Sequence, residues 1–331
     1  MSQAALLLDE AAVRSLLRWT DLIPLMERTL AAFSTGGAVQ PVRSIVRMER
    51  HNAMLGSMPG YLADLDALGT KLVSVVPGNT ARGLPTHRAT VVLIDPATGA
   101  LEALLDGRLI TEMRTAAVSA AAARALAVPG ASRLTVFGAG VQAESHIEAY
   151  AHAFALSEVR VVGRTPAKAQ AFAERMASRT GLHVIAEPYA ARAVAGAHLI
   201  VTATASPTPI LRGAWLEPGA HVSAVGACTP STRELDGEAV ARMRVFVDSR
   251  AAAAIEAGDL LLAQQDGAIG PDHVVGEIGE VFAGRITGRR DHDAITLFKS
   301  LGLAVEDVAT AHAVTAAARA AGVGRTIDLG S

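Results

Sequence analysis

The residues with the clearest chemical signature are VFGAGVQAE at 136–144. They take the form Gly-x-Gly-x-x-Ala, after an apolar run and before an amphipathic one. In such a turn Gly138 permits the tight passage from strand to helix, and Gly140 lets the backbone approach a pyrophosphate. Ala143 keeps the helix near its sheet. The helix start offers free N–H groups and the positive end of its dipole to the anion. An ordinary βα turn can share this fingerprint, but the flanking strand and helix favour a dinucleotide site. Where the next strand ends, an NAD-preferring site carries a carboxylate for the ribose 2′-hydroxyl. This chain has Arg164-Thr165 there, a planar cation and a hydroxyl suited to a 2′-phosphate. The expected cofactor is therefore NADPH, with NADH still possible; Arg164 as a plain exposed loop residue is the bland alternative.

Three cations sit in unusual settings. Arg43 lies in a β-rich run, Lys71 opens the apolar stretch KLVSVV, and Arg114 stands near the start of an alanine-rich segment. Spacing alone does not raise any of them above a solvated surface charge. Asp291-His292-Asp293 follows Arg289-Arg290 and reads as a polar loop. No cluster has metal-ligand spacing, so no metal is expected.

The elements that must carry these residues fall into two patterns. The first forty residues read as helical, with Asp9 capping a helix through Leu17 and Asp21 one through Phe33. Short β runs follow at 42–48, 54–57, 71–76, 89–95 and 101–105, crowded together as in a mostly antiparallel sheet. A helix is expected over 109–128. Beyond Pro129-Gly130 the rhythm becomes β-α-β: strands at 134–137, 159–162, 199–203, 221–225 and 245–247, and a helix at 141–155. Another helix is capped by Thr165 with Pro166 at its first position, and a last one spans 305–321.

Composition narrows the setting. The 331 residues are 50% hydrophobic but only 4% aromatic, so the core is built from Ala, Val and Leu and global disorder is excluded. A net charge of −2 gives no footprint for nucleic acid or an anionic membrane. The most apolar stretch, 115–131, contains Arg124 and is broken by Pro129-Gly130, too weak to span a bilayer. No signal peptide is expected in MSQAALLLDEAAVR, and Cys228, the single cysteine, cannot form an internal disulfide. A soluble cytoplasmic protein is expected.

The chain also resembles the ornithine cyclodeaminase/μ-crystallin family. The resemblance is carried, in collinear order, by MLGSMPGY (54–61), TKLVSVVPGN (70–79), GLPTHRATVVLID (83–95), LLDGRLITEMRTAAVSA (104–120), FGAGVQAESH (137–146), VVGRT (161–165), VGACTPSTRELD (225–236) and TLFKSLGLAVEDVATA (296–311). It implies an α/β protein with a Rossmann-type doubly wound parallel sheet over 116–304. An N-terminal mixed α+β domain, 1–115, would bind substrate and form a homodimer, with 305–331 returning to it. It makes Arg43, Lys71 and Arg114 a clamp on a substrate carboxylate, which accords with the multiple charge-assisted bonds a buried carboxylate needs. The cofactor residues it implies are Thr86, Thr115, Gly138, Gly140, Val141, Gln142, Arg164, Thr165, Thr202, Ala203, Val225 and Lys299. Lys71, Cys228 and His87 become candidate catalytic groups, and His87 reads equally as a packed structural histidine.

Members of this family that cyclise ornithine with loss of ammonia carry a Glu and an Asp where this chain has Gly56 and Cys228. Reduction of a cyclic ketimine asks for less, because the imine nitrogen takes a proton readily and hydride transfer needs orientation and exclusion of water. The reading is an NADPH-dependent reductase of Δ1-pyrroline-2-carboxylate or Δ1-piperideine-2-carboxylate, giving L-proline or L-pipecolate. Ornithine cyclodeaminase, an alanine or other amino-acid dehydrogenase, and a non-catalytic crystallin-like NADPH-binding protein are the alternatives. Cys228 is either a proton donor, with a reference pKa of about 8.5, or an inert piece of the pocket wall, and the second is preferred.

Overall fold

In the computed structural model, which describes residues 4–328, the chain divides into two compact units. The chain up to Arg114 and from Leu303 onward makes the first, and Thr115–Gly302 the second. In order, the first unit contributes β1 (Ala5–Leu8), α1 (Glu10–Leu16), α2 (Trp19–Ser34), β2 (Ala38–Val39), β3 (Ser44–Met48), β4 (Ala53–Leu62), β5 (Ala67–Val75), β6 (His87–Ile94) and β7 (Leu101–Asp106). Helix α3 (Gly107–Leu126) runs on past Arg114. The second unit then adds β8 (Arg133–Phe137), α4 (Val141–Ala153), β9 (Glu158–Val162), α5 (Pro166–Thr180), β10 (Val184–Ala186), α6 (Ala190–Val194) and β11 (Leu199–Thr202). It continues through β12 (His221–Ala224), α7 (Gly237–Arg242), β13 (Arg244–Val247), α8 (Arg250–Glu256), α9 (Gly258–Gln265), β14 (Val274–Glu277), α10 (Ile278–Phe282) and β15 (Thr296–Lys299). The chain ends with α11 (Ala304–Ala321) and β16 (Arg325–Ile327).

The first unit is one mixed sheet in the order β16-β1-β7-β6-β5-β4-β2, with β3 also paired to β4. Only β1 with β7 is parallel; the other pairings are antiparallel. Strand alternation divides its residues. Met58, Leu62, Ala67, Lys71, Val91, Leu93, Ala103 and Leu105 are buried on the face that packs against α11. The first half of α11, residues 304–311, is buried all round, while Ala313, Ala316 and Ala320 in its second half are exposed. The opposite face stays open. Val46 and Leu55 are register partners there, Leu72 lies across from Ser57, and the three are 60%, 39% and 38% exposed.

The second unit is a wholly parallel sheet, β10-β9-β8-β11-β12-β15-β13-β14. Its first five strands follow the doubly wound order, so the chain reverses direction between β8 and β11 and opens a crevice at their carboxyl ends. Val136, Ile200, Val222, Val245 and Leu297 are fully buried in its strands.

Several elements depart from the sequence reading. Residues 5–8 are a strand, because a short apolar run has no period that separates strand from helix. Asp9 does cap α1, accepting from the Ala12 N–H at 2.9 Å. Asp21 caps nothing and lies inside the first turn of α2, which begins at Trp19. Thr165 occupies the N-cap position of α5 ahead of Pro166, but its hydroxyl makes no capping bond. Strands β10, β14, β15 and β16, each three or four residues long, were not anticipated.

Candidate active site

Lys71 lies midway along β5, facing inward between Met58 of β4 and Val91 of β6, and is 2% exposed. A buried ammonium needs a partner, and α11 supplies it. Asp307, fully buried in the helix's first turn, places Oδ2 2.5 Å from Lys71 Nζ. Arg114, nearly buried on α3, donates from Nη1 to Glu306 Oε2 at 2.6 Å and from Nε to Asp307 Oδ1 at 3.1 Å. Burial pulls the Lys71 ammonium down to about 8; Asp307 opposes this, while the charges of Arg114 and Arg43 reinforce it. Arg43, half-buried just before β3, is thus close enough to be felt at Lys71.

His87 opens β6 opposite Val75, and its Nδ1 is 3.1 Å from the Thr86 hydroxyl. His87 is exposed at the strand's start, and partial loss of hydration and the Lys71 charge hold it below the ordinary histidine value. The fold therefore gathers Arg43, Lys71, Arg114 and His87 in one electrostatic neighbourhood. Glu306 and Asp307 were missed as site residues. Their signal was two adjacent acids in an Ala/Val run, AVEDVATA, at a helix start where carboxylates are favoured. Held by these acids, Lys71 and Arg114 are ordered donors for an anion such as a carboxylate.

The ends of β8, β9 and β11 in the second unit carry the features of a dinucleotide turn. Gly138 has φ +122°, and a Cβ on it would stand 2.7 Å from the Ala203 carbonyl oxygen, so no other residue fits. The Gly138 N–H donates to Val162 O at 2.8 Å and the Ala203 N–H to Phe137 O at 2.9 Å, fastening the ends of β8, β9 and β11. Gly140 is the N-cap of α4, and no side chain caps that helix. Gly140 and Val141 are exposed, Gln142 is half-buried and Ala143 is fully buried. Beneath the turn is His146, which burial lowers to about 4. It is therefore neutral, donating from Nδ1 to Gln142 O (2.7 Å) and accepting at Nε2 from the Ser119 hydroxyl (3.0 Å). Arg164 and Thr165 are exposed at the end of β9, and no carboxylate pairs with Arg164 among the described residues. An open helix start, a cradle only glycine can line and a free cation fit a nicotinamide dinucleotide.

The other anticipated cofactor residues lie deeper. Thr115 is buried on α3. The Thr202 hydroxyl is fully buried and donates to Glu234 Oε2, and Val225 donates its N–H to Thr202 O. Lys299, also fully buried, pairs with Asp259 at 3.0 Å. Burial works against its ammonium, but Asp259, Cys228 and Glu234 outweigh it and hold it above the ordinary lysine value. Cys228 is half-buried and points its thiol at Val225 O, 3.3 Å away.

The sequence profile of the ornithine cyclodeaminase/mu-crystallin family matches residues 3–322. The chain belongs to this family. Among its relatives, the mouse ketimine reductase mu-crystallin is 43% identical over 319 residues, covering 95% of this chain and 97% of its own. Of solved structures, Thermococcus litoralis Δ1-pyrroline-2-carboxylate reductase in complex with NADH and L-proline superposes with a TM-score of 0.94. It is 36% identical and covers 97% of this chain and 100% of its own. An archaeal alanine dehydrogenase dimer with bound NAD gives 0.93 at 32% identity, over 99% and 100% of the two chains. The chain is an NAD(P)H-dependent oxidoreductase acting on C=N bonds, with a nicotinamide cofactor. No helix among the described residues is long and apolar enough to cross a membrane.

Proposed function

We propose that this family member reduces a cyclic ketimine carboxylate, Δ1-pyrroline-2-carboxylate or Δ1-piperideine-2-carboxylate, to the L-imino acid with NADPH. The observation that carries this reading is the pair of buried cations Lys71 and Arg114, ordered on Glu306 and Asp307 with Arg43 nearby. Arg43, Lys71 and Arg114 hold the substrate carboxylate, and that grip fixes the ring and the face of its C2 carbon. When bound, the cofactor supplies the hydride that C2 receives. The imine nitrogen is basic enough to arrive protonated, so no enzymic carboxylate is needed. Gly56 and Cys228 stand where the cyclodeaminase pattern has carboxylates, which disfavours ring closure of ornithine.

The Gly138–Gln142 turn takes the pyrophosphate. Arg164 and Thr165 take the 2′-phosphate, and their exposure, with no carboxylate paired to Arg164 among the described residues, favours NADPH over NADH. Within the second unit, Thr115, Ala203 and Val225 line the path of the cofactor, with Thr202 and Lys299 supporting from beneath. The open apolar face around Val46, Leu55 and Leu72 suits a second copy of the chain, giving a homodimer. A single thiol suits a reducing cytoplasm. The test is NADPH consumption with both cyclic imines, with pyruvate plus ammonia, and with ornithine. Turnover of a cyclic imine supports the reading; turnover only of pyruvate with ammonia, or only of ornithine, replaces it with one of the alternatives.

A further inference from the structure

Beneath the crevice of the second unit runs a chain of three fully buried ionisable side chains, Glu234, Asp259 and Lys299, that the mechanism above leaves without a chemical step. Glu234 Oε1 accepts from the Thr204 N–H and the Thr204 hydroxyl, each at 2.7 Å. Oε2 accepts from the Thr202 hydroxyl and the Gly226 N–H, each at 2.8 Å. Four donors use the lone-pair capacity of one carboxylate in full. The backbone N–H groups of Glu234 and Leu235 donate to Asp259 Oδ1, at 2.7 and 3.0 Å. Asp259 Oδ2 in turn faces Lys299 Nζ at 3.0 Å.

Thr202 and Lys299 end β11 and β15, Gly226 lies two residues past β12, and these three strands are neighbours in the sheet. One carboxylate and its charged supports therefore tie the exits of three adjacent strands. The tie is tight: a Cβ on Gly226 would stand 2.1 Å from the Thr204 carbonyl oxygen. Cys228 sits on the same loop.

The topology gives this knot a place in ligand binding. The pyrophosphate turn ends β8, and Arg164 marks the adenosine side at the end of β9. The other half of a dinucleotide then extends the opposite way, over the exits of β11 and β12. We propose that Glu234 is a positioning residue for the nicotinamide half of the cofactor, holding the Thr204 and Gly226–Cys228 loops at the spacing that half requires. The proposal rests on the crevice being the dinucleotide site and is independent of which imine is reduced.

The test is Glu234→Gln, which keeps the shape but turns two acceptor positions into donors facing donors. It is read by binding in the substrate-free protein. Affinity for NADPH should fall by about tenfold or more, the scale of one charge-assisted hydrogen bond. Affinity for adenosine 2′,5′-bisphosphate, which carries only the adenosine half, should be unchanged. The only thiol, Cys228, should also react faster with a thiol reagent than in the parent. A structural role alone would weaken both ligands together or lower only the melting temperature, and either result overturns the proposal, as does unaltered NADPH binding. Should Glu234→Gln fail to fold, Thr204→Val removes one of the four bonds and must show the same split between the two ligands. Failure of adenosine 2′,5′-bisphosphate to bind the parent protein would instead refute the crevice as the NADPH site.

Discussion

Asp307→Asn removes a carboxylate that touches both buried cations. Asp307 is fully buried, 2.5 Å from Lys71 Nζ and 3.1 Å from Arg114 Nε. Deleting one member of a buried ion pair costs about 3–5 kcal/mol, because the remaining charge is left in a poorly polarisable interior. Lys71 can escape part of that cost by losing its proton. Its value is already about 8, and Asp307 is what raises it against burial, Arg114 and Arg43. Without Asp307 it falls further, and Lys71 becomes neutral near neutral pH. A lysine with a lowered folded-state value binds fewer protons folded than unfolded, so stability rises with pH from the folded value up to the unfolded one. In the variant this rise begins at lower pH than in the parent. Its deficit is therefore largest on the acid side, shrinks as pH rises toward about 8, and is constant above. Denaturant unfolding at about pH 6 and pH 8.5 reads this directly. In steady-state kinetics the loss of one charge-assisted bond to the substrate carboxylate should lower kcat/KM by roughly 10- to 100-fold. An Asp307→Asn protein with the parent's unfolding midpoint at both pH values and the parent's kcat/KM would refute the account of the cation cluster.

Three further outcomes are expected. Gly138→Ala puts a Cβ against the Ala203 carbonyl oxygen in a left-handed backbone conformation. NADPH affinity, followed by fluorescence titration, should drop by at least about tenfold, and parental affinity would contradict the placement of the pyrophosphate turn. Arg164→Ala should weaken NADPH binding while leaving NADH binding nearly unchanged; equal loss of both would remove Arg164 from cofactor choice. His146 and His221 are buried and neutral, lowered by desolvation to about 4 and about 3. The unfolded chain binds more protons below the ordinary histidine value, so stability should decline as pH falls from about 6.5 toward 4, by up to about 3 kcal/mol per histidine. Unfolding midpoints that stay flat over that range would show that these rings are not held neutral.

What could be read from the sequence follows the range of the interactions concerned. The Gly138–Ala143 turn was legible because strand, glycines and helix start are consecutive, and the constraint that Ala203 places on Gly138 is already implied by the fingerprint. Arg43, Lys71 and Arg114 were not legible from spacing, since they lie on a loop, a strand and a helix far apart in the chain. They entered only through resemblance, although Lys71 does share the strand period of the buried Ala67. Glu306 and Asp307 were hidden for the same reason: only the return of α11 onto the sheet shows what these acids face. The Glu234 knot needs three strand exits to meet, which no local pattern encodes. β10, β14, β15 and β16 escaped because strands this short carry almost no period, and Leu6–Leu8 reads as helix or strand with equal ease.

The central claim is that a cyclic imine carboxylate, held by Arg43, Lys71 and Arg114, receives a hydride at C2. The most direct measurement is reduction of Δ1-pyrroline-2-carboxylate and Δ1-piperideine-2-carboxylate with NADPH deuterated at the transferring carbon, with the product examined by mass spectrometry and NMR. The expected product is L-proline or L-pipecolate carrying one deuterium at C2, formed in step with NADPH oxidation. Unlabelled product, or no reduction of either imine by a protein that binds NADPH and turns over another substrate, would contradict it.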